Sequence, residues 1–249
     1  KIEKRIDKDL LADAKPVNRK KIKKLLKKTN KLTAFKNGKF KPIQMWRQLE
    51  VYYKAGFDKK RLNHIEKNTL RFSKLGKHLL QMAEAYHLTD NEKYKQTLAE
   101  QFVSVVAHLE EQGFVRGSAL GIMHHQGYSM RDWSKALFLM RSVLGKHKLT
   151  SQQAIAWYTG FGRIFRPNNE IKGFNVDVMN TFLPGMLMSI LMLDDDAQKM
   201  HLLSKMSQWM SYSMTAIKGL AGGIQTDGSF YHHAQHYVAY GNGGLKGLS

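Results

Sequence analysis

Apolar residues recur at three- and four-residue steps along most of the chain after Pro42, and this spacing is typical of the buried face of an α-helix. The clearest case lies in residues 92–112, where the apolar positions are Leu98, Phe102, Val105, Val106 and Leu109. The run Thr89-Asp90-Asn91-Glu92 has the form of a capping box, and Gly113 is a suitable stop. We therefore predict one long helix over residues 92–112.

The same spacing predicts a series of further helices, at residues 43–55, 74–87, 130–144, 154–165, 176–193 and 197–218. The helix at 154–165 has its own predicted capping box, Thr150-Ser151-Gln152-Gln153, and Pro167 follows its end. No stretch alternates apolar and polar residues long enough to predict a strand. Successive helices of this kind are typical of αα-hairpins packed side by side. The sequence predicts one all-α domain in residues 42–249, preceded in residues 1–41 by a basic extension or by the first helices of the same domain.

The last stretch, residues 219–249, has a different composition from the helices. It holds eight glycines and three histidines, mixed with aromatic residues. Glycine weakens both helices and strands, so we predict irregular backbone here, and loops on rigid scaffolds often carry chemistry. A new element is expected to begin near residues 243–247, so we expect the domain to continue beyond Ser249.

Charge narrows the choice of partner. The chain has 40 Lys and Arg against 20 Asp and Glu, which gives a net charge of +20 and a pI near 10.0. Such a field favours a polyanion: a nucleic acid, an anionic membrane surface or an acidic polysaccharide. The densest run is residues 19–28, where Ile22, Leu25 and Leu26 lie at helical spacing. It predicts a short amphipathic helix whose cationic face is either simply solvated or a polyanion contact.

Other compositional features exclude several classes of protein. There is no cysteine, so neither a disulfide framework nor a thiolate metal site is expected. The first residues lack the pattern of a secretory signal, which we therefore expect to be absent from this sequence. The longest apolar stretch, residues 179–193, is too short and too interrupted to span a bilayer. We predict no membrane partner.

Two histidine-rich segments, residues 121–133 and 227–240, are the candidates for chemistry, and we predict that both are loops. His232, His233 and His236 have spacings that could bind zinc, but the His-Glu-x-x-His motif is absent, so no metal is predicted. A structural role for these histidines in the core of a loop stays open. No Gly-x-Ser-x-Gly elbow, phosphate-binding loop or nucleic-acid-binding motif occurs.

The second segment resembles part of a known family. Asp227-Gly228-Ser229-Phe230 followed by His233, with Tyr240 seven residues later, is similar to polysaccharide lyase family 8, and the seven-residue gap favours its chondroitin ABC lyases. The motif His124-His125-x-Gly-Tyr128-x-x-Arg131 is also similar to a cluster in those enzymes. The resemblance implies an incomplete (α/α) toroid, truncated here at its C-terminus, which agrees with the helical pattern.

The resemblance implies β-elimination of chondroitin sulfate and dermatan sulfate and assigns roles by position. Tyr240 donates a proton to the leaving oxygen and is a candidate base for glucuronate, whereas His233 orients or neutralises the uronate. His124 matches a histidine implicated in iduronate cleavage. The proposed substrate-binding residues are His125, Tyr128, Arg131, Trp133, Asn175, Asn180 and His232. Trp157 is a further candidate for stacking on a sugar.

The resemblance also implies an arginine and a glutamate of the catalytic tetrad, which we expect beyond Ser249. It implies no cofactor for the chemistry and leaves open a structural Ca²⁺ or Mg²⁺ elsewhere in the full protein. The predicted partner is an anionic glycosaminoglycan, not nucleic acid or membrane. A monomer is expected, in the periplasm or secreted. Two alternatives stay open: an AC-type or hyaluronate lyase, and a non-enzymatic helical module that binds heparin or nucleic acid.

Overall fold

A computed structural model of the chain describes most of its backbone. The described residues are 1–32, 41–45, 47–118, 120, 123–165, 178–216, 223–232, 235–236 and 238–248. Of these, residues 31–32, 123–125, 232, 235, 240, 243 and 246–248 are described by their backbone alone.

The described chain is largely helical, which confirms the predicted all-α class. Its α-helices are α1 Ile2–Ala12, α2 Arg19–Leu32, α3 Gln48–Lys54, α4 Lys59–Asn68, α5 Phe72–Leu88, α6 Glu92–Glu111, α7 Met123–Leu139, α8 His147–Tyr158, α9 Leu183–Leu191, α10 Asp196–Ser213 and α11 Val238–Leu248. A 3₁₀-helix at Phe161–Phe165 follows α8, and a π-helical turn at Val178–Phe182 leads into α9. The arrangement of these helices as a toroid stays a prediction.

Five short strands interrupt the helices within the described residues, although the sequence predicted none. Strand β1 (Ile43–Gln44) pairs in parallel with β2 (Leu70–Arg71). An antiparallel sheet joins β3 (Gly223–Ile224), β4 (Phe230–His232) and β5 (Gln235–His236) in that order. Each has only two or three residues, which is too short for an alternating pattern to develop.

Two clusters of buried residues form the core of the part of the chain that the structure describes. The larger one joins α5, α6, α7 and α8, and the smaller one joins the 3₁₀-helix, the π turn, α9 and α10. Ile22 and Leu25 of α2 are 1% and 6% exposed and belong to the larger cluster. Helix α2 therefore packs as part of the helical body, while the division at residue 41 stays a prediction.

The two predicted capping boxes had different outcomes. Helix α6 begins where predicted, but its cap is Asn91, whose Oδ1 accepts the backbone N–H of Tyr94 at 3.1 Å. The box at residues 150–153 is wrong, because α8 already begins at His147 and Ser151 is fully buried inside it. The predicted helix over 43–55 is also wrong at its start, because Arg47 adopts a left-handed conformation with φ 55° before α3.

Both predicted loops contain helix instead. Residues 123–139 form α7, and residues 238–248 form α11 despite four glycines. Close packing explains the second case, because a Cβ on Gly241 would come within 3.0 Å of the Phe230 ring on β4. Tertiary packing here outweighs the low helix propensity of glycine.

Candidate active site

Three segments that are distant in the sequence meet around the π turn. Helix α11 packs against Val178–Phe182, and this turn packs against α7. Helix α11 also contacts β4. Helices α7 and α11, which carry parts of the two histidine-rich segments, thereby both contact one short turn.

Phe182 is the residue through which the π turn packs against Gly127 and Tyr128 of α7. A Cβ at Gly127 would overlap with the Phe182 ring, so the close approach of the two backbones needs glycine at this position. The Tyr128 ring meets Phe182 edge-on, with centroids 6.1 Å apart. The guanidinium of Arg163, in the 3₁₀-helix, lies 5.5 Å from the centroid of the Phe182 ring. Burial lowers the pKa of Arg163. The position of Tyr128 is therefore set by the π turn.

Tyr128 and Arg131 form a pair on α7. The Arg131 guanidinium carbon lies 5.8 Å from the centroid of the half-buried Tyr128 ring, which is a cation–π distance, and Arg131 is exposed. Position 124 precedes Tyr128 by one helical turn. The structure therefore brings together two of the residues predicted from the first motif and places the backbone of His124 and His125 beside them.

Trp133 does not belong to this site, and its predicted contact with substrate is wrong. It is 0% exposed, its indole N–H donates to the Phe72 carbonyl at 3.0 Å, and its ring stacks on Phe72 at 4.7 Å. Phe114 covers it further at 5.3 Å. A tryptophan packed on these sides has no ring face for a sugar.

The second motif forms a hairpin whose turn is held by side-chain hydrogen bonds. Asp227 Oδ1 accepts the backbone N–H of Ser229 at 2.9 Å, and Gly228 takes a positive φ of 81°. Hydrogen bonds from Ser229, with the charge of nearby His236, hold the pKa of Asp227 below its usual range. This is the Asx-type turn that Asp-Gly-Ser favours.

His236 is a site residue whose hydrogen bond the sequence did not reveal. Its Nδ1 lies 2.9 Å from Ser229 Oγ, and its ring meets Tyr231 edge-on at 5.3 Å. Ser229 therefore fixes the orientation of an exposed imidazole across the hairpin. The sequence gave no indication of this contact, because Ser229 and His236 are seven residues apart and come together only through the pairing of β4 with β5.

The remaining predicted residues have the following positions. Asn180 is half-buried in the π turn, between α7 and α11. His232 ends β4 and pairs with Gln235, and Tyr240 lies in α11, with backbone alone described for both His232 and Tyr240. His233 and Asn175 lie outside the described residues. The predicted absence of a metal at His232, His233 and His236 therefore stays a prediction.

One cavity is lined by the sequence neighbours of Gly127 and Tyr128 on α7, and another contains Trp157. The first, of about 470 Å³, is lined by Arg47, Arg71, Gln126 and Ser129, among others, and borders the start of α7. The second, of about 510 Å³, contains Trp157, whose indole donates to the Ser118 carbonyl, and Phe165, which is 49% exposed. Stacking of a sugar on Trp157 stays a prediction.

The chain is similar to known proteins along its whole length. The family described as "Lyase, catalytic" matches residues 1–249. A chondroitin sulfate ABC exolyase from Proteus vulgaris is 41% identical over 192 residues, which are 74% of this chain and 19% of that protein. An exolyase of the same name from Bacteroides thetaiotaomicron is 34% identical over 157 residues, 62% of this chain and 15% of the relative.

A third relative, the chondroitin sulfate ABC endolyase of Proteus vulgaris, is 29% identical over 178 residues, 69% of this chain and 17% of the relative. The chain therefore spans less than a fifth of the length of these relatives. Within the described residues, no helix is both long enough and apolar enough to cross a membrane.

Proposed function

Because the chain belongs to polysaccharide lyase family 8, we propose that it forms part of an enzyme that cleaves chondroitin sulfate and dermatan sulfate by β-elimination. The observation that carries the proposal is the meeting of α7, the π turn and α11. Tyr128 and Arg131 lie on one of these elements, Asn180 on the second and Tyr240 on the third.

The reaction removes a proton and expels a sugar from the same uronate ring. A base takes the proton from C5, the bond from C4 to the bridging oxygen breaks, and a C4–C5 double bond forms. The bridging oxygen leaves with a proton from an acid. Carbon C5 becomes acidic only when the neighbouring carboxylate is neutralised, so the site needs donors or cations there as well as an acid and a base.

We assign Tyr240 as the acid that protonates the leaving oxygen, and as the base for glucuronate. The ordinary pKa of tyrosine is near 10, so its action as a base requires cationic neighbours at the site. His233 orients the uronate and neutralises its carboxylate, with His232 and Asn180 or Asn175 as further donors.

The α7 side of the site serves the other epimer. In iduronate the C5 proton lies on the opposite face of the ring, so a second base must approach from the opposite direction. We assign this role to His124, one turn from Tyr128 on α7. Arg131, with His125, binds the anionic groups of the substrate beside it. The fixed position of Tyr128 against Phe182 supports this arrangement.

The proposed enzyme needs no cofactor for this chemistry, and a structural Ca²⁺ or Mg²⁺ elsewhere in the full protein stays open. Its partner is an anionic glycosaminoglycan and not nucleic acid. We propose that it acts as a monomer in the periplasm or outside the cell.

Replacing the proposed acid tests the assignment. In the full-length protein, Tyr240→Phe is expected to abolish the ultraviolet absorbance of unsaturated uronate on both chondroitin and dermatan sulfate, because the leaving oxygen then has no proton donor. Tyr53→Phe is the matched control, since Tyr53 is 69% exposed on α3. A fully active Tyr240→Phe variant would remove Tyr240 from the mechanism.

Epimer selectivity tests the second base. His124→Ala is expected to lose cleavage of dermatan sulfate while keeping that of chondroitin sulfate, as followed by the same absorbance. Equal loss on both substrates would contradict the assignment of two bases. A wild-type protein inactive on dermatan sulfate but active on chondroitin or hyaluronan would favour the AC-type or hyaluronate alternative.

A further inference from the structure

Helix α2 carries an unusual density of positive charge. Eight of its fourteen residues are Lys or Arg, and none is acidic. The apolar residues Ile22 and Leu25 point into the larger core, so the fold determines which face remains outside. Exposed lysines cover that outer face: Lys20, Lys21, Lys23, Lys24, Lys27 and Lys28.

The exposed lysines of α2 differ from several lysines elsewhere in the described chain, which form ion pairs. Elsewhere in the described chain, Lys54 bonds Glu50 at 2.9 Å, Lys95 bonds Glu92 at 2.9 Å and Lys199 bonds Glu3 at 2.7 Å. No such ion pair within 4.0 Å involves the exposed α2 lysines in the part of the chain that the structure describes. Two of these lysines act on titratable groups: Lys21 lowers the pKa of Glu84 against the larger, raising effect of burial, and Lys28 adds to the effect of burial that lowers the pKa of His78.

This arrangement works against the stability of the helix. Lys20, Lys24 and Lys28 follow one another at four-residue steps, where like charges repel. Lys20 and Lys21 also lie in the first turn, at the positive end of the helix dipole. A sequence that breaks two local rules on one exposed face, without compensation in the fold, indicates a function for that face.

We propose that the outer face of α2 is a second binding surface for the sulfated polysaccharide, separate from the candidate active site. The identity of the ligand rests on the proposed function. Lys20, Lys24, Lys27 and Lys28 form one stripe along about 12 Å of helix, from a rise of about 1.5 Å per residue. A sulfated chondroitin carries a carboxylate and sulfate in its repeating disaccharide, so it presents a linear row of anions to such a stripe.

The composition of α2 favours a polysaccharide over other polyanions. The helix has no aromatic residue on which a base could stack, as surfaces for single-stranded nucleic acid use. Ile22 and Leu25 are buried in the core and the half-buried Leu26 packs against it, so these side chains cannot insert into a membrane interface. Lysine ammonium groups bind as point charges, which suits flexible recognition of sulfates and carboxylates rather than bidentate reading of a base.

The effect of a second binding surface would depend on the length of the polysaccharide that it binds. A polymer bound at α2 keeps further disaccharides at a high effective concentration near the enzyme, whereas a short oligosaccharide cannot reach both surfaces. The lysine stripe should therefore lower KM for polymeric chondroitin sulfate and leave both kcat and the cleavage of a tetrasaccharide unchanged.

The test compares two variants of equal charge. In the full-length protein, K20Q/K24Q/K27Q/K28Q removes the stripe, and K4Q/K8Q/K59Q/K60Q removes four exposed lysines of α1 and α4 as the control. The stripe variant should bind labelled polymeric chondroitin sulfate at least about ten-fold more weakly at physiological salt. The slope of log affinity against log salt should fall in magnitude by about 3, as expected for four lost counterion-releasing contacts. Circular dichroism should show that it melts no earlier than the wild type, because repulsion is relieved.

Several results would overturn the proposal. Unchanged affinity and salt slope in the stripe variant would exclude the surface, and an equal loss in the control would reduce the effect to net charge. Tighter binding of duplex DNA than of chondroitin sulfate, lost in the stripe variant, would assign the surface to nucleic acid instead. Binding is measured without turnover, so a protein that binds through α2 but yields no unsaturated product would refute the proposed function alone.

Discussion

The larger core and the candidate active site are built from different kinds of sequence. Helices α5 and α6 present regular apolar faces, and residues such as Leu79, Phe102 and Val106 are wholly buried. The region around the π turn instead uses glycines that fit against aromatic rings, as Gly127 does on Phe182 and Gly241 on Phe230. The first region supplies stability through buried area, and the second positions side chains by close backbone approach.

This contrast predicts that damage to the two regions has different consequences. Substitutions in the larger core should unfold the protein with little effect on the activity of the molecules that remain folded. Substitutions in the glycine contacts should cost less stability but more activity.

The largest loss of stability is expected for Phe102→Ala. Phe102 is 0% exposed in α6, and truncating a buried phenylalanine typically costs about 3–5 kcal/mol through lost transfer energy and a residual cavity. The free energy of unfolding is measured by urea denaturation, and kcat by the ultraviolet assay under stabilising conditions. A loss of unfolding free energy below about 1 kcal/mol, or a kcat that falls together with stability, would contradict the predicted difference between the two regions.

Acid should destabilise the larger core through His78, which joins α5 to α2. Its Nε2 lies 2.8 Å from Thr29 Oγ1, and its buried Nδ1 has no hydrogen-bond partner among the described residues. Burial, with a smaller contribution from Lys28, lowers the pKa of His78 to about 4. Protonation would create a buried N–H without an acceptor.

The unfolded chain therefore takes up a proton on His78 at a higher pH than the folded protein. The stability that the neutral imidazole contributes is complete above pH about 6.5 and is lost as the pH falls towards about 4. Over this interval the loss is about 3 kcal/mol, at 1.36 kcal/mol per pKa unit. Urea denaturation across this range should show a shallower decline in His78→Gln, whereas His64→Gln, an exposed change on α4, should retain it. Parallel declines in the wild type and His78→Gln would contradict the prediction.

A smaller loss of stability, with a larger loss of activity, is expected for Gly127→Ala. The added methyl group overlaps with the Phe182 ring, and overpacking of this kind typically costs about 1–3 kcal/mol. The displaced ring no longer holds Tyr128, so kcat should fall for dermatan sulfate in particular. Gly117→Ala is not a suitable control because Gly117 has a φ of 85°, whereas Gly162 has open space around it and a φ that other residues adopt. Gly162→Ala is therefore the control and should leave activity unchanged. Full activity in Gly127→Ala would show that the contact between α7 and the π turn does not contribute to catalysis.

The sequence allowed much of the fold to be predicted where apolar spacing was regular. The helix at 92–112 was confirmed within one residue, and the one predicted at 197–218 begins at Asp196 but ends five residues early, at Ser213. Each has a stripe of apolar positions and an Asn or Asp cap. The sequence could not predict α11, since its glycines disfavour helix until Phe230 packs against Gly241. It also could not predict the short strands, whose pairing depends on distant residues.

The candidate site was predictable from motifs rather than from patterning. The family predicted from the two histidine-rich segments is confirmed, whereas the roles of their residues stay predictions. Trp133 was misassigned because proximity in sequence to a motif does not give exposure. The contact between Ser229 and His236 depends on strand register, which short motifs do not encode.

The nature of the cleavage product tests the central claim most directly. Full-length protein incubated with chondroitin sulfate is expected to release oligosaccharides whose terminal uronate absorbs in the ultraviolet and which are lighter by one water molecule than products of hydrolysis, as measured by mass spectrometry. Products that carry the added water and lack the C4–C5 double bond would contradict β-elimination, and with it the roles assigned to α7, the π turn and α11.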